Sequence, residues 1–154
     1  MFTPNFWKML VLSTFAIFVA GCTATTEVMP DAADAEAEKF MPKEKLANIY
    51  VVREDSFMGS GVLLQVHFDG KLQGGIAPGT YMLFEVAEGK HTVTVMTAEN
   101  TDSVKINALQ GNNYFVEVTP VMGWMAARAD VEVIEAERGK KIVLDGERVE
   151  LISY

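Results

Sequence analysis

From residue 46 onward the apolar positions recur every second residue in short runs. In GVLLQVHFDG, Leu64, Val66 and Phe68 share one face while Gln65, His67 and Asp69 share the other. A two-residue period of this kind is the mark of a half-buried strand. HTVTVMTA places Val93 and Val95 together, and DSVKINAL places Val104 and Ile106 opposite Lys105. TYMLFEV, NYFVEVTP and ADVEVIE continue the rhythm. ANIYVVRE differs, because Ile49 and Val51 on one face are matched by Tyr50 and Val52 on the other. A strand apolar on both faces belongs at the centre of a covered sheet. Asp69-Gly70 and Glu88-Gly89-Lys90 read as tight turns, and Gly74-Gly75 and Pro78-Gly79 as further punctuation. About seven strands with turn signals every 8–12 residues or so predict an all-β domain, an antiparallel β-sandwich of immunoglobulin-like or prealbumin-like kind. Only IEAERGKKIVLDG breaks the period. It fits either a short C-terminal helix near residues 135–144, weakened by Gly139, or a last hairpin ending in RVELISY.

The start of the chain has a different pattern. One charge, Lys8, precedes an uninterrupted apolar run, MLVLSTFAIFVA, over residues 9–20. Spanning a bilayer takes roughly 20 apolar residues, so this run is short for a transmembrane helix and suits the core of a secretory signal peptide. Small residues then lead into the single cysteine of the chain. Val19-Ala20-Gly21-Cys22 resembles the lipobox of bacterial lipoproteins. The resemblance implies cleavage between Gly21 and Cys22, a diacylglycerol on the Cys22 sulfur and an acyl chain, such as palmitate, on the new amino terminus. Two or more chains hold a protein on a membrane where one alone binds marginally. With Cys22 consumed, the mature chain has no thiol for a disulfide. Thr23 stands where lipoproteins retained in the inner membrane often carry aspartate, which implies the outer membrane of a two-membrane bacterium, facing the periplasm.

Between the cysteine and the first strand, TATTEVMPDAADAEAEKFMPKEK is rich in Ala, Glu, Asp and Thr. With few large apolar residues it predicts no core of its own. It reads as a flexible tether, or as a short helix begun by Asp31 and stopped by Pro42. The expected organisation is thus a signal peptide over 1–21, a lipidated tether over 22–45 and a β-sandwich over 46–154. Loss of the segment bearing Lys8 takes the formal charge from -8 to about -9. Such an acidic surface is a poor match to nucleic acid.

NIYVVRE, FDGKLQGGIAPGTYMLFEVAEGKHTVTV and GNNYFVEV together resemble the bacterial lipoprotein family known as domain of unknown function 2846. The G-K-H-T-V hairpin also resembles PEGA-type sandwich domains. What the resemblance implies is a β-sandwich on a lipid tether; it brings no catalytic residues.

Few residues of the chain carry a chemical signature. His67 falls on a polar strand face, and His91 begins a hairpin strand where local packing or hydrogen bonding accounts for it. Neither has metal-ligand neighbours, and the thiol is spent, so no metal or other cofactor is expected. Ser56, Ser60 and Ser103 read as loop or turn residues without a base, and DGKLQGG lacks phosphate-loop spacing. No catalytic residue emerges, and the chain is expected not to be an enzyme. The stretch TPVMGWMAARAD is the exception to this blandness. Met122, Trp124 and Met125 surround Gly123 between two strands, either folded over an open end of the sandwich or exposed as a partner-binding patch. Phe57 and Met58 join that patch if their loop shares the same end, with Arg128 at its rim. The expected function is a non-catalytic, membrane-anchored envelope lipoprotein that engages another envelope protein. The alternative is a small-ligand or glycan module with a cleft in the sandwich.

Overall fold

A computed structural model describes residues 26–153. Cys22, Gly21 and the apolar segment before them lie outside the described residues. The chain forms α1 (Asp31–Ala37), β1 (Leu46–Arg53), β2 (Leu64–Phe68), β3 (Lys71–Ile76), β4 (Thr80–Ala87), β5 (Gly89–Met96), β6 (Thr101–Ala108), β7 (Asn113–Met122), β8 (Ala127–Ile134), α2 (Ala136–Leu144) and β9 (Glu147–Arg148). Two sheets face each other, one ordered β8-β7-β1-β4-β9 and the other β3-β2-β5-β6. The all-β sandwich and the short C-terminal helix are both present.

Two features depart from the expected pattern. β1 pairs with β7 in parallel, and β9 pairs with β4 in parallel, so the sandwich is not purely antiparallel. Nine strands rather than about seven are formed among the described residues. Gly74 and Gly75 belong to β3 instead of punctuating a loop, and the register with β2 shifts beside them, between Val66 and His67. A Cβ at residue 75 would come within 2.5 Å of the Leu63 side chain, so glycine here makes room for apolar packing.

Strand parity sorts the side chains as the two-residue period requires. Leu64, Val66, Val93, Val95 and Ile106 meet Ile49, Val51 and Met82 between the sheets. The opposite face of β1 is equally apolar because α1 and α2 cover it. Tyr50, Val52, Tyr81, Leu83 and Phe115 form a second core with Ala37, Ile142 and Val143. Burying each aliphatic or aromatic side chain contributes about 1.5–3 kcal/mol. Tyr50 stacks on Phe115 with centroids 5.1 Å apart. Its hydroxyl donates to the Ala37 carbonyl at 2.7 Å, and burial pushes its pKa up to about 12.

This second core draws in a segment whose composition suggests only a spacer. Phe40 packs against Tyr50 and Phe115, and Asn113 donates to its carbonyl at 2.8 Å. Tyr81 donates to Asp34, Arg148 to the Ala33 carbonyl, and Val28 bridges to Val149. The short side chains of α1 let its backbone approach the tyrosines closely, which a hydropathy count does not register. Its N-cap is Pro30, without a side-chain cap bond, and not Asp31.

The Asp69-Gly70 turn takes φ of 48° and 80°, the left-handed pair that a two-residue hairpin demands. His91 locks that turn to the β4–β5 corner. Its Nδ1 lies 2.8 Å from Asp69 Oδ2 and its Nε2 3.0 Å from the Ala87 carbonyl, and its ring stacks on Phe68. Both nitrogens face acceptors, so the doubly protonated ring satisfies both. Burial alone lowers the imidazole pKa, but the Asp69 hydrogen bond, the Ala87 carbonyl and the Asp69 charge outweigh it and hold it above 6.5. The contribution is therefore complete below the unfolded value and disappears as pH rises through the folded one. Asp69→Asn keeps a residue tolerant of positive φ and removes the charge. Urea unfolding is expected to show the variant weaker than wild type near pH 6, with the gap narrowing as pH rises above the ordinary imidazole value.

Candidate functional site

β7 and β8 outrun the rest of their sheet. The last β1–β7 pair is Val52 with Glu117, whereas β7 and β8 remain paired to Met122 and Ala127. The hairpin thus projects about five residues, ~16 Å, past that last pair. Its tip, residues 122–126, carries the side chains that the sequence singles out. Met122, Trp124 and Met125 are 88%, 94% and 89% exposed. Trp124 is not folded over the open end of the sandwich. It stands in solvent.

Three side chains from the neighbouring sheet hold this projection. The Glu99 carboxylate accepts hydrogen bonds from the backbone N–H groups of Trp124 at 2.8 Å, of Ala126 at 2.6 Å and of Met125. A Cβ on Gly123 would strike that carboxylate and the Ala126 carbonyl, so glycine is required where the backbone wraps the anion. Asn100 mimics a strand partner, donating to the Ala129 carbonyl at 2.7 Å and accepting from its N–H at 2.9 Å. Asp102 accepts from the Val131 N–H at 2.9 Å. Side chains of the β5–β6 loop and β6 therefore dock along β8 and close the sandwich at this edge.

The backbone bonds from Met125, Ala126 and Trp124 pull the Glu99 pKa below its ordinary 4.5, with the Arg128 charge adding a smaller pull. A depressed carboxylate stabilises above its unfolded pKa and loses that contribution as pH falls through the folded value. Glu99→Ala is expected to lower the amide protection factors at residues 124–126 by roughly an order of magnitude at neutral pH, and acidification to lower them likewise in wild type once the slower intrinsic exchange is divided out. Unchanged exchange in the variant would show that the tip does not depend on this carboxylate.

The β1–β2 loop, residues 54–63, reaches the same end. Gly59, at φ 75°, lies so close to β7 that a Cβ would meet Pro120 at 2.6 Å. Met58 and Gly59 consequently share an open depression of about 350 Å³ with Pro120, Met122, Trp124 and Met125. Phe57, in the same loop, is 96% exposed, and Arg128 is exposed beside the tip. Beneath the loop, the Arg53 guanidinium donates to the carbonyls of Val62, Ile76 and Gly59 at 2.6, 2.9 and 2.7 Å. Burial lowers its pKa, yet arginine stays charged in a folded protein.

A second concavity, about 340 Å³, lies between this loop and α2 and is lined by Glu54, Ser56, Met58, Glu117 and Arg138. Glu117 is buried and receives a hydrogen bond from Arg138 at 2.7 Å. Burial raises its pKa against the opposing charge of Arg138, and Glu54 raises it further. Ser56 and Ser60 are loop residues, while Ser103 is an exposed residue of β6 rather than a turn. Among the described residues no three His, Cys, Asp or Glu side chains converge as a metal site requires, and no helix is long and apolar enough to cross a membrane.

Glu99, Asn100 and Arg53 escape a reading of the sequence, because each acts on residues distant along the chain or on backbone atoms. Gly123 was visible, but only as the residue that Met122, Trp124 and Met125 surround.

The model of a family described as "Protein of unknown function (DUF2846)" matches residues 43–132. A Haemophilus influenzae protein, described as an uncharacterised protein, is 22% identical over 128 residues, which cover 83% of this chain and 76% of its own.

Proposed function

The chain belongs to the DUF2846 family, and from that premise we propose that it is a lipid-anchored envelope protein whose sandwich docks another envelope protein. In this reading Cys22 carries the lipid after cleavage behind Gly21, and the domain faces the periplasm from the outer membrane. The domain binds and does not catalyse. The supporting observation is the projecting tip, where Met122, Trp124 and Met125 are almost wholly exposed on a hairpin braced by Glu99. Leaving such side chains in water is unfavourable unless a partner covers them, and Trp is favoured at binding hot spots. Tethering both proteins to one envelope raises their effective concentration, so a modest patch suffices.

The second reading, a small ligand or glycan, is favoured by the concavity at Glu117 and Arg138, which joins buried and exposed polar groups. In-cell photocrosslinking separates the two. A photoreactive residue at Trp124 is expected to give a discrete protein adduct, while one at Thr94, on a strand of the other sheet, gives none. No adduct at either position, in protein shown to be folded and lipidated, would sink the docking reading and move the search to the concavity.

A further inference from the structure

We infer that the apolar tip points away from the bilayer that anchors the chain and seats in an apolar, basic-rimmed pocket of a protein partner. This rests on the anchored, docking reading above and adds to it a direction and a partner chemistry.

The direction comes from the docked N-terminal segment. Met29 N–H donates to the Arg148 carbonyl at 2.7 Å, and Glu150 N–H to the Glu27 carbonyl at 3.0 Å, around the antiparallel bridge of Val28 with Val149. β9 runs parallel to β4, away from the end that holds Arg53 and Thr80. Residues 27–29 therefore climb toward the loop end, and the chain before them arrives from the opposite direction. The tip lies on the β8 edge of the sheet, whereas this arrival lies beyond the β9 edge. Strand spacing and rise put Thr26 about 20 Å across and ~30 Å along from the tip. Because residues 27–40 are fastened to the sandwich, the four-residue step from Cys22 to Thr26 sets the lipid's reach from Thr26 at no more than ~14 Å of chain. A lipid on Cys22 stays at least about 20 Å from Trp124, on the far side of the domain.

The chemistry comes from the rim and the area. Glu99 and Asp130 are exposed beside the tip with Arg128, and Glu54 and Asp55 are exposed on the same end of the domain, where Arg138 lies 3.7 Å from Glu54; this end remains net acidic. That rim is repelled by an anionic leaflet and attracted to basic groups. Phe57, Met58, Met122, Trp124 and Met125 together expose on the order of 800 Å², one partner's share of a standard protein interface.

After removal of the segment containing Trp7, Trp124 is the sole tryptophan, so its fluorescence reports the tip alone. The lipidated mature protein is reconstituted in vesicles and quenched either with acrylamide or with lipids brominated along the acyl chain. Quenching by acrylamide without quenching by brominated lipid is the expected result; efficient lipid quenching would overturn the inference. In cells, the Trp124 adduct is expected to be a protein and to fall about tenfold in the double variant Asp55→Lys and Asp130→Lys, which makes this end net basic and leaves the tip intact. An adduct indifferent to both reversals would overturn the basic-rimmed partner. A protein mass with Cys22 unmodified would overturn the anchoring reading itself, an outcome distinct from lipid quenching of a correctly anchored chain.

Discussion

Replacing Arg53 with alanine is expected to cost about 3 kcal/mol of stability and to release the β1–β2 loop from β7. The side chain is only 2% exposed and caps the inter-sheet core at the loop end, where three backbone carbonyls accept from one guanidinium. Each buried acceptor left without a donor costs about 1–3 kcal/mol, and water entering the gap recovers part of it. Arg53→Lys keeps the charge but loses the planar fork that serves Val62 and Gly59 at once, so an intermediate loss, about 1.5 kcal/mol, is expected. Urea denaturation of the two variants measures this order. The consequence reaches the candidate site, since Met58 and Gly59 are held against Pro120 by the same loop. A wild-type midpoint for Arg53→Ala would mean that these carbonyls find other donors and that Arg53 is dispensable to the tip.

Gly139→Ala sets two physical effects against each other with opposite signs. Helix propensity alone favours alanine in the middle of α2 by about 1 kcal/mol. The seat of the helix opposes it. A Cβ at residue 139 would land on Cγ and Cβ of Phe115 and only 2.5 Å from its Cδ1, inside the 3.0 Å that real Cβ atoms respect. Rotating the ring does not relieve this, because Phe115 Cβ is fixed to the backbone of β7. The helix must lift, uncovering Ile142, Val143 and the aromatic layer beneath them. Packing is expected to win, with a net loss of about 2–3 kcal/mol in chemical denaturation. A more stable Gly139→Ala would show that α2 is not pressed on Phe115 as described. The glycine that weakens the helix by propensity is what lets it approach.

Legibility followed the range of the interaction. Alternation identified the inward faces of β2, β5 and β6 through Leu64, Val66, Val93, Val95 and Ile106, because side-chain parity is a property of neighbouring residues. Doubly apolar β1 announced a central, covered strand, and β1 lies third in a five-stranded sheet. β3 was missed because Gly74 and Gly75 carry no side chains to alternate. α1 escaped recognition as part of the domain because alanines score as spacer until tyrosines wait beneath them.

The same division holds at the tip. Met122, Trp124 and Met125 around Gly123 were visible as an apolar interruption between strands, a local feature of the chain. Whether they would fold inward or stand in solvent depended on Glu99, which gathers three amides of the tip, and on Asn100 and Asp102, which dock β8. Composition and period are enough to specify short strands, their buried faces and an apolar run shortly before Cys22. Strand order, the parallel pairing of β1 with β7, the helices over the second core and the exposure of Trp124 were decided only in three dimensions. Each depends on which distant segments satisfy one another's backbone groups and apolar faces, and no local period encodes that choice.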